Sequence, residues 1–103
     1  MRIPKRIQLY NAAVWAGYQD PAERSADEWW DRAGDFALDD ARTALEMYIE
    51  MRLDSLKTAV VNAARRYRKE DSYGNTLAID AAIEALEKFE EEYALDHTGK
   101  PLE

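Results

Sequence analysis

Between Asp35 and Lys69, apolar side chains return every three or four residues, at Leu38, Ala41, Leu45, Ile49, Leu56, Val60, Ala63 and Tyr67. That period marks one face of a helix, not a strand. The stripe skips at Arg52, although Leu53 stands beside it. A second run, Ile79, Ala82, Ile83, Leu86, Phe89 and Tyr93, predicts a final helix from Thr76 to about Leu95. A shorter run, Ile7, Tyr10 and Val14, follows Pro4, which suits a first helical turn because its missing N–H has no partner there. It predicts a helix that ends at Gly17, a residue able to take a left-handed cap. The stretch RIQLY within it also fits a short strand.

Polar residues set the boundaries. Asp20-Pro21-Ala22-Glu23 and Ser25-Ala26-Asp27-Glu28 each place a capping side chain three residues before a glutamate. Both point to a helix starting between Asp20 and Trp29. Gly34 marks a stop or a kink. Glu70 to Asn75 reads as a loop, with Asn75 as the next N-cap. From Asp96, the segment DHTGKPLE predicts a flexible tail over 96–103. The expected architecture is all-α: a small bundle of three to five helices in a single helical domain spanning 1–95.

The 35–69 segment dominates this picture. As one helix it would span roughly 50 Å at 1.5 Å per residue. A compact domain of this size has a radius of gyration of only about 13 Å. The helix therefore either breaks near Leu53-Asp54-Ser55 or carries an overhang for another chain to cover. A homodimer formed by this helix is one consequence.

Composition narrows the function classes. Of 103 residues, 47% are hydrophobic and 34% charged, which is enough apolar material for a core under a highly charged surface. There is no cysteine, so disulfides, thiolate nucleophiles and Cys-ligated metals are excluded. No apolar run is long enough to span a bilayer, so no membrane association is expected. The N-terminus MRIPKRIQLY lacks the apolar segment of a signal peptide, and the expected location is cytoplasmic.

The net charge of −7 is distributed in blocks. Residues 1–19 carry three cations and no acid, and residues 20–54 carry eleven acids against four arginines. Residues 55–69 carry five cations and no acid, and residues 70–103 carry ten acids against two lysines. An acidic excess of this kind disfavours direct nucleic-acid binding.

Catalytic chemistry has little to start from. A carboxylate di-metal site needs paired Glu-x-x-His motifs, but the one histidine, His97, has Ala94 where the glutamate belongs. Ser25 reads as a cap, Ser55 as a helix residue and Ser72 as loop, and no nucleophile elbow or phosphate-binding glycine loop exists. The abundant carboxylates face solvent on the predicted wheels, where nothing raises a pKa for acid catalysis. No cofactor or metal is implied, and the expected protein is not an enzyme.

Three features remain. The run Arg65-Arg66-Tyr67-Arg68-Lys69 complements a helix C-terminus, and it could also contact phosphate or an acidic protein block. Asp80, Glu84, Glu87 and Glu91 form an acid ladder on the last helix, widened by Glu90 and Glu92. Finally, Trp29 and Trp30 are adjacent, framed by Asp27 and Asp31. Neighbouring helical side chains point about 100° apart, so one narrow stripe cannot bury both. Ala33 at i+4 favours Trp29 as the buried ring and leaves Trp30 as an interface anchor.

The expected function is a small acidic protein-binding module of the inhibitor or antagonist type. Its partner surface would comprise Trp30, Asp27, Asp31, Asp80, Glu84, Glu87 and Glu91, docked on a basic, nucleic-acid-binding protein as a nucleic-acid mimic. The alternative is a self-associating helical scaffold.

Overall fold

The computed structural model describes residues 1–96, 99 and 100. It contains four helices: α1 (Lys5–Trp15), α2 (Ala26–Arg32), α3 (Asp35–Lys69) and α4 (Tyr73–Glu92). No β-strand occurs among the described residues, so the fold is all-α. The chain divides into two compact units, Arg2–Glu50 and Met1 with the residues from Met51 onward. The division falls inside α3, which is helical throughout its 35 residues. The expected alternative of a break at Leu53-Asp54-Ser55 is not taken.

In the Arg2–Glu50 unit, RIQLY is helix rather than strand. Pro4 is the N-cap of α1, and its carbonyl accepts from the N–H groups of Ile7 and Gln8. The helix ends as its glycine predicts. Gly17 has φ +83°, Tyr18 N–H donates to the Ala13 carbonyl and Gly17 N–H to that of Val14. This pair of bonds is the Schellman motif, and it satisfies carbonyls that a helix end would leave open.

The buried side of α1 differs from the expected stripe. Gln8, Leu9, Ala12 and Ala13 are buried, whereas Ile7, Tyr10 and Val14 are only half-buried. Tight packing follows the two alanines, where small side chains let backbones approach, and the larger residues cover the margins. Gln8 tolerates burial because its Nε2 donates to the Ile3 carbonyl at 2.8 Å.

Of the two capping sequences, only the second starts a helix. Ser25 Oγ accepts from Glu28 N–H at 3.3 Å and caps α2. Asp20 instead closes a single turn: its carboxylate accepts from Ala22 N–H and its carbonyl from Glu23 N–H. Trp29 anchors α2 in the core, its ring 6.1 Å from that of Tyr10. On α3, Ala41, Ala44 and Leu45 are buried in this unit, with Leu38 and Ile49 half-buried.

In the other unit, α3 contributes buried Leu53, Leu56 and Ala63, and the C-terminal segment contributes Phe89, Ala94 and Leu95. Expected core residues Val60 and Leu86 are half-buried. The skip in the α3 stripe resolves here. Leu53 takes the buried position, and the Arg52 guanidinium lies over the Phe89 ring, 5.9 Å from its centroid.

The turn before α4 is shorter than predicted. Only Glu70, Asp71 and Ser72 separate the helices, and Ser72, not Asn75, is the N-cap; its Oγ accepts from Asn75 N–H at 3.2 Å. Asn75 reaches backwards instead. Its Nδ2 donates to the Glu70 carbonyl at 2.7 Å and, more weakly, to that of Arg66 at 3.4 Å. One side chain thus ties the first turn of α4 back to the end of α3, whose Arg66 carbonyl also accepts from Glu70 N–H at 2.9 Å.

Helix α4 also ends earlier than Leu95. Ala94 turns left-handed at φ 52°, and Leu95 N–H donates to the Glu90 carbonyl at 2.8 Å. This turn carries Leu95 into the core. Beyond it, Asp96 and Lys100 close a hydrogen-bonded turn through Asp96 N–H, Gly99 N–H and Lys100 N–H. Gly99 has φ +84°, and a Cβ there would stand 2.7 Å from Leu53 Cδ1, so another residue would strain the backbone and displace that side chain. The rest of the expected tail, His97, Thr98 and 101–103, lies outside the described residues.

Candidate interaction surfaces

Helix α4 presents the acid ladder. Phe89 is buried, with Ala78 and Ala82 half-buried on the same side of the helix, and Asp80, Glu84, Glu87 and Glu91 fall on the opposite side, where all four are exposed. Asp80, Glu84 and Glu87 have no ion-pair partner among the described residues. Glu91 differs, because its Oε1 receives the Met1 amine at 3.0 Å. Both groups are exposed, so that pair contributes little to stability. The half-buried Glu92 meets Lys88 at 4.0 Å.

Two apolar residues absent from the sequence-derived site flank this ridge. Leu77 and Ile83 lie about 60° to either side of Asp80 on the helical wheel. They are 50% and 37% exposed. The apolar period assigns Ile83 to the core and gives no hint that it is open. Leu77 is off the stripe, and an isolated leucine carries no signal by itself.

The second patch belongs to the Arg2–Glu50 unit. Trp29 is 4% exposed and Trp30 40%, as helical phase predicts, with ring centroids 6.5 Å apart. The Trp30 ring therefore backs onto a buried ring while its outer part meets solvent. Of its acidic frame, Asp31 is exposed, and Asp27 is engaged by Arg6 at 3.5 Å. The acidic character around Trp30 is thus weaker than the sequence suggests. The predicted site residues divide into these two patches, one in each unit.

The basic run ends α3. Arg66, Arg68 and Lys69 stand in the last turn, where cations complement the helix dipole. Arg65, Arg68 and Lys69 border an open recess of about 440 Å3. Tyr67 is 37% exposed and does not continue the core as its spacing suggests. Its hydroxyl engages the Asp71 carboxylate, and that hydrogen bond, with the adjacent negative charge, raises its pKa above the ordinary 10.0.

Among the described residues, no group of three or more His, Asp or Glu side chains could hold a metal ion. No helix among them is long and apolar enough to cross a membrane. Neither a family model, nor a curated protein, nor a solved structure matches the chain.

Proposed function

We propose that the protein is a non-enzymatic protein-binding module, an inhibitor or antagonist, that docks the outer face of α4 on a basic surface of another protein. The observation that carries this reading is the ridge of three exposed, unpaired carboxylates, Asp80, Glu84 and Glu87, bordered by the exposed side chains of Leu77 and Ile83. Carboxylates alone would be a solvated face. With apolar flanks they offer what an interface needs, charge for steering and apolar area for retention. A nucleic-acid-binding protein is the kind of partner whose surface is basic, but mimicry by this helix alone is sparse. Its acids recur every ~5 to 6 Å, against one charge per ~1.7 Å of duplex axis.

Co-purification followed by mass spectrometry tests the reading, with wild type compared to the triple variant Asp80→Lys, Glu84→Lys and Glu87→Lys. Basic proteins should be recovered with wild type, released as salt is raised, and absent from the variant. A partner set retained by the variant with unchanged salt sensitivity overturns acidic docking.

A further inference from the structure

The last turns of α3 hold a cationic recess that docking of the α4 ridge does not use. Residues 55–69 carry five cations and no acid. Arg65, Arg68 and Lys69, at i, i+3 and i+4, fall within about 100° of one another on the helical wheel and within about 6 Å along the axis. Their side of α3 lies roughly opposite the buried Ala63. They border the open recess of about 440 Å3. All three are exposed, and none has an ion-pair partner among the described residues. Groups that could absorb these charges within the chain are engaged elsewhere. The Arg66 carbonyl at the helix end accepts from Glu70 N–H, and Asn75 Nδ2 donates to the Arg66 and Glu70 carbonyls. The Asp71 carboxylate accepts from the Tyr67 hydroxyl. Tyr67 lies roughly 160° round the wheel from Arg65 and from Lys69, so Asp71 is held away from the recess. Glu70, the other acid at the tip, makes no ion pair with the three cations.

We propose that this recess binds a compact oligophosphate, a diphosphate or triphosphate chain that is free or ends a larger molecule. The guanidinium forks of Arg65 and Arg68 match phosphate oxygens two at a time, and the Lys69 ammonium adds a point charge. A lone carboxylate would leave two of the three cations unmatched, whereas a phosphate chain carries several negative charges in the same space. The volume falls at the small end of ligand-binding clefts, about 300 to 1,000 Å3. A nucleic-acid backbone is the poorer match. It would extend beyond the recess along a chain of net charge −7, in a unit that also exposes Asp80, Glu84 and Glu87. A compact anion meets only charges within the screening length of about 8 to 10 Å. Among the described residues no aromatic side chain borders the recess, so a nucleotide's base adds nothing to the phosphate contacts.

This inference stands apart from docking on a basic partner, because it is tested on the purified chain with inorganic triphosphate as the probe. Exposed charge pairs are individually weak, so a dissociation constant on the order of 1 mM is expected at low salt. Amide shifts followed by NMR at matched ionic strength should move and saturate at 65–69. The N-terminal segment is an internal control: Arg2, Lys5 and Arg6 are also three cations without a neighbouring acid in sequence, but Arg6 is engaged by Asp27, and their amides should stay in place. Arg65→Ala and Arg68→Ala should each weaken binding about fivefold. Arg66→Ala removes the same charge from the same turn without bordering the recess, and should weaken it less than about twofold. ATP should match inorganic triphosphate within about twofold, and citrate should bind at least about threefold more weakly. Equal losses for Arg65→Ala and Arg66→Ala, equal shifts in the N-terminal segment, or no saturation up to about 20 mM overturns the site. Citrate binding as tightly as triphosphate overturns the phosphate assignment, and single-stranded RNA binding more tightly than triphosphate overturns the compact ligand.

Discussion

Replacing the two adjacent tryptophans by alanine, one at a time, measures directly how helical phase divides their roles. Trp29 is 4% exposed and Trp30 40%. A tryptophan buries roughly 200 Å2, so near-complete burial of Trp29 corresponds to about 5 kcal/mol at 25 cal/mol per Å2. A compact unfolded reference lowers this to about 3 to 4.5 kcal/mol, within the range for Trp→Ala in cores. Trp30 buries about three-fifths of that area, and its removal opens no sealed cavity, so about 2 kcal/mol is expected. The difference, about 2 kcal/mol, shifts a urea midpoint by roughly 1 to 2 M for a small domain. Circular dichroism at 222 nm during urea titration reads both variants. Trp29→Ala should lower the midpoint far more than Trp30→Ala. Equal midpoints would refute the assignment of one ring to the core and the other to the boundary, and with it the use of Trp30 as an anchor.

Two glycines should respond to alanine with opposite signs. Gly17→Ala forces a Cβ into φ +83° with no atom within 4 Å to clash, so the cost is backbone strain alone, about 1 kcal/mol. Gly74→Ala sits in the first turn of α4, also in open space, and should stabilise by about 0.5 kcal/mol. Thermal melts check both, and two shifts of the same sign would contradict the reading. For Tyr67, the raised pKa means that the folded chain holds the hydroxyl proton more tightly than the unfolded chain. Its hydrogen bond to Asp71 thus favours folding below about pH 10 and is lost as pH rises through the raised value. Asp71→Asn should bring one tyrosinate transition, followed by absorbance at 295 nm, to lower pH, and superimposable titrations would exclude the contact.

The α4 boundaries show why local sequence signals mislead by a few residues. Ser72 and Asn75 both have capping chemistry, and both are used, but at different helix ends. Which of them caps α4 depends on where α3 delivers its open carbonyls, and that is not a local property. Ala94 is similar. No glycine marks the left-handed turn there, yet the turn carries Leu95 into the core. At Trp29 and Trp30, by contrast, helical phase alone predicts the order of exposure. On the candidate surface, the acid ladder was legible because charges repeat at helical spacing. Its apolar flanks were not: Ile83 follows the core period on a pair of helices with too few neighbours to cover it.

What the sequence alone determined is therefore periodic. An apolar repeat of 3.6 residues makes three segments helical, a capping sequence starts the fourth, and helical phase puts Trp29 inside and Trp30 at the edge and aligns Asp80, Glu84 and Glu87 on one ridge. What only the tertiary structure decided is how much of each apolar stripe finds a neighbour. The same i, i+4, i+7 pattern is covered at Ala41 and Leu45, half-covered at Val60 and open at Tyr67 and Ile83. The pattern specifies the direction of a side chain about its own helix axis, whereas burial requires atoms from another element, which no single helix contains.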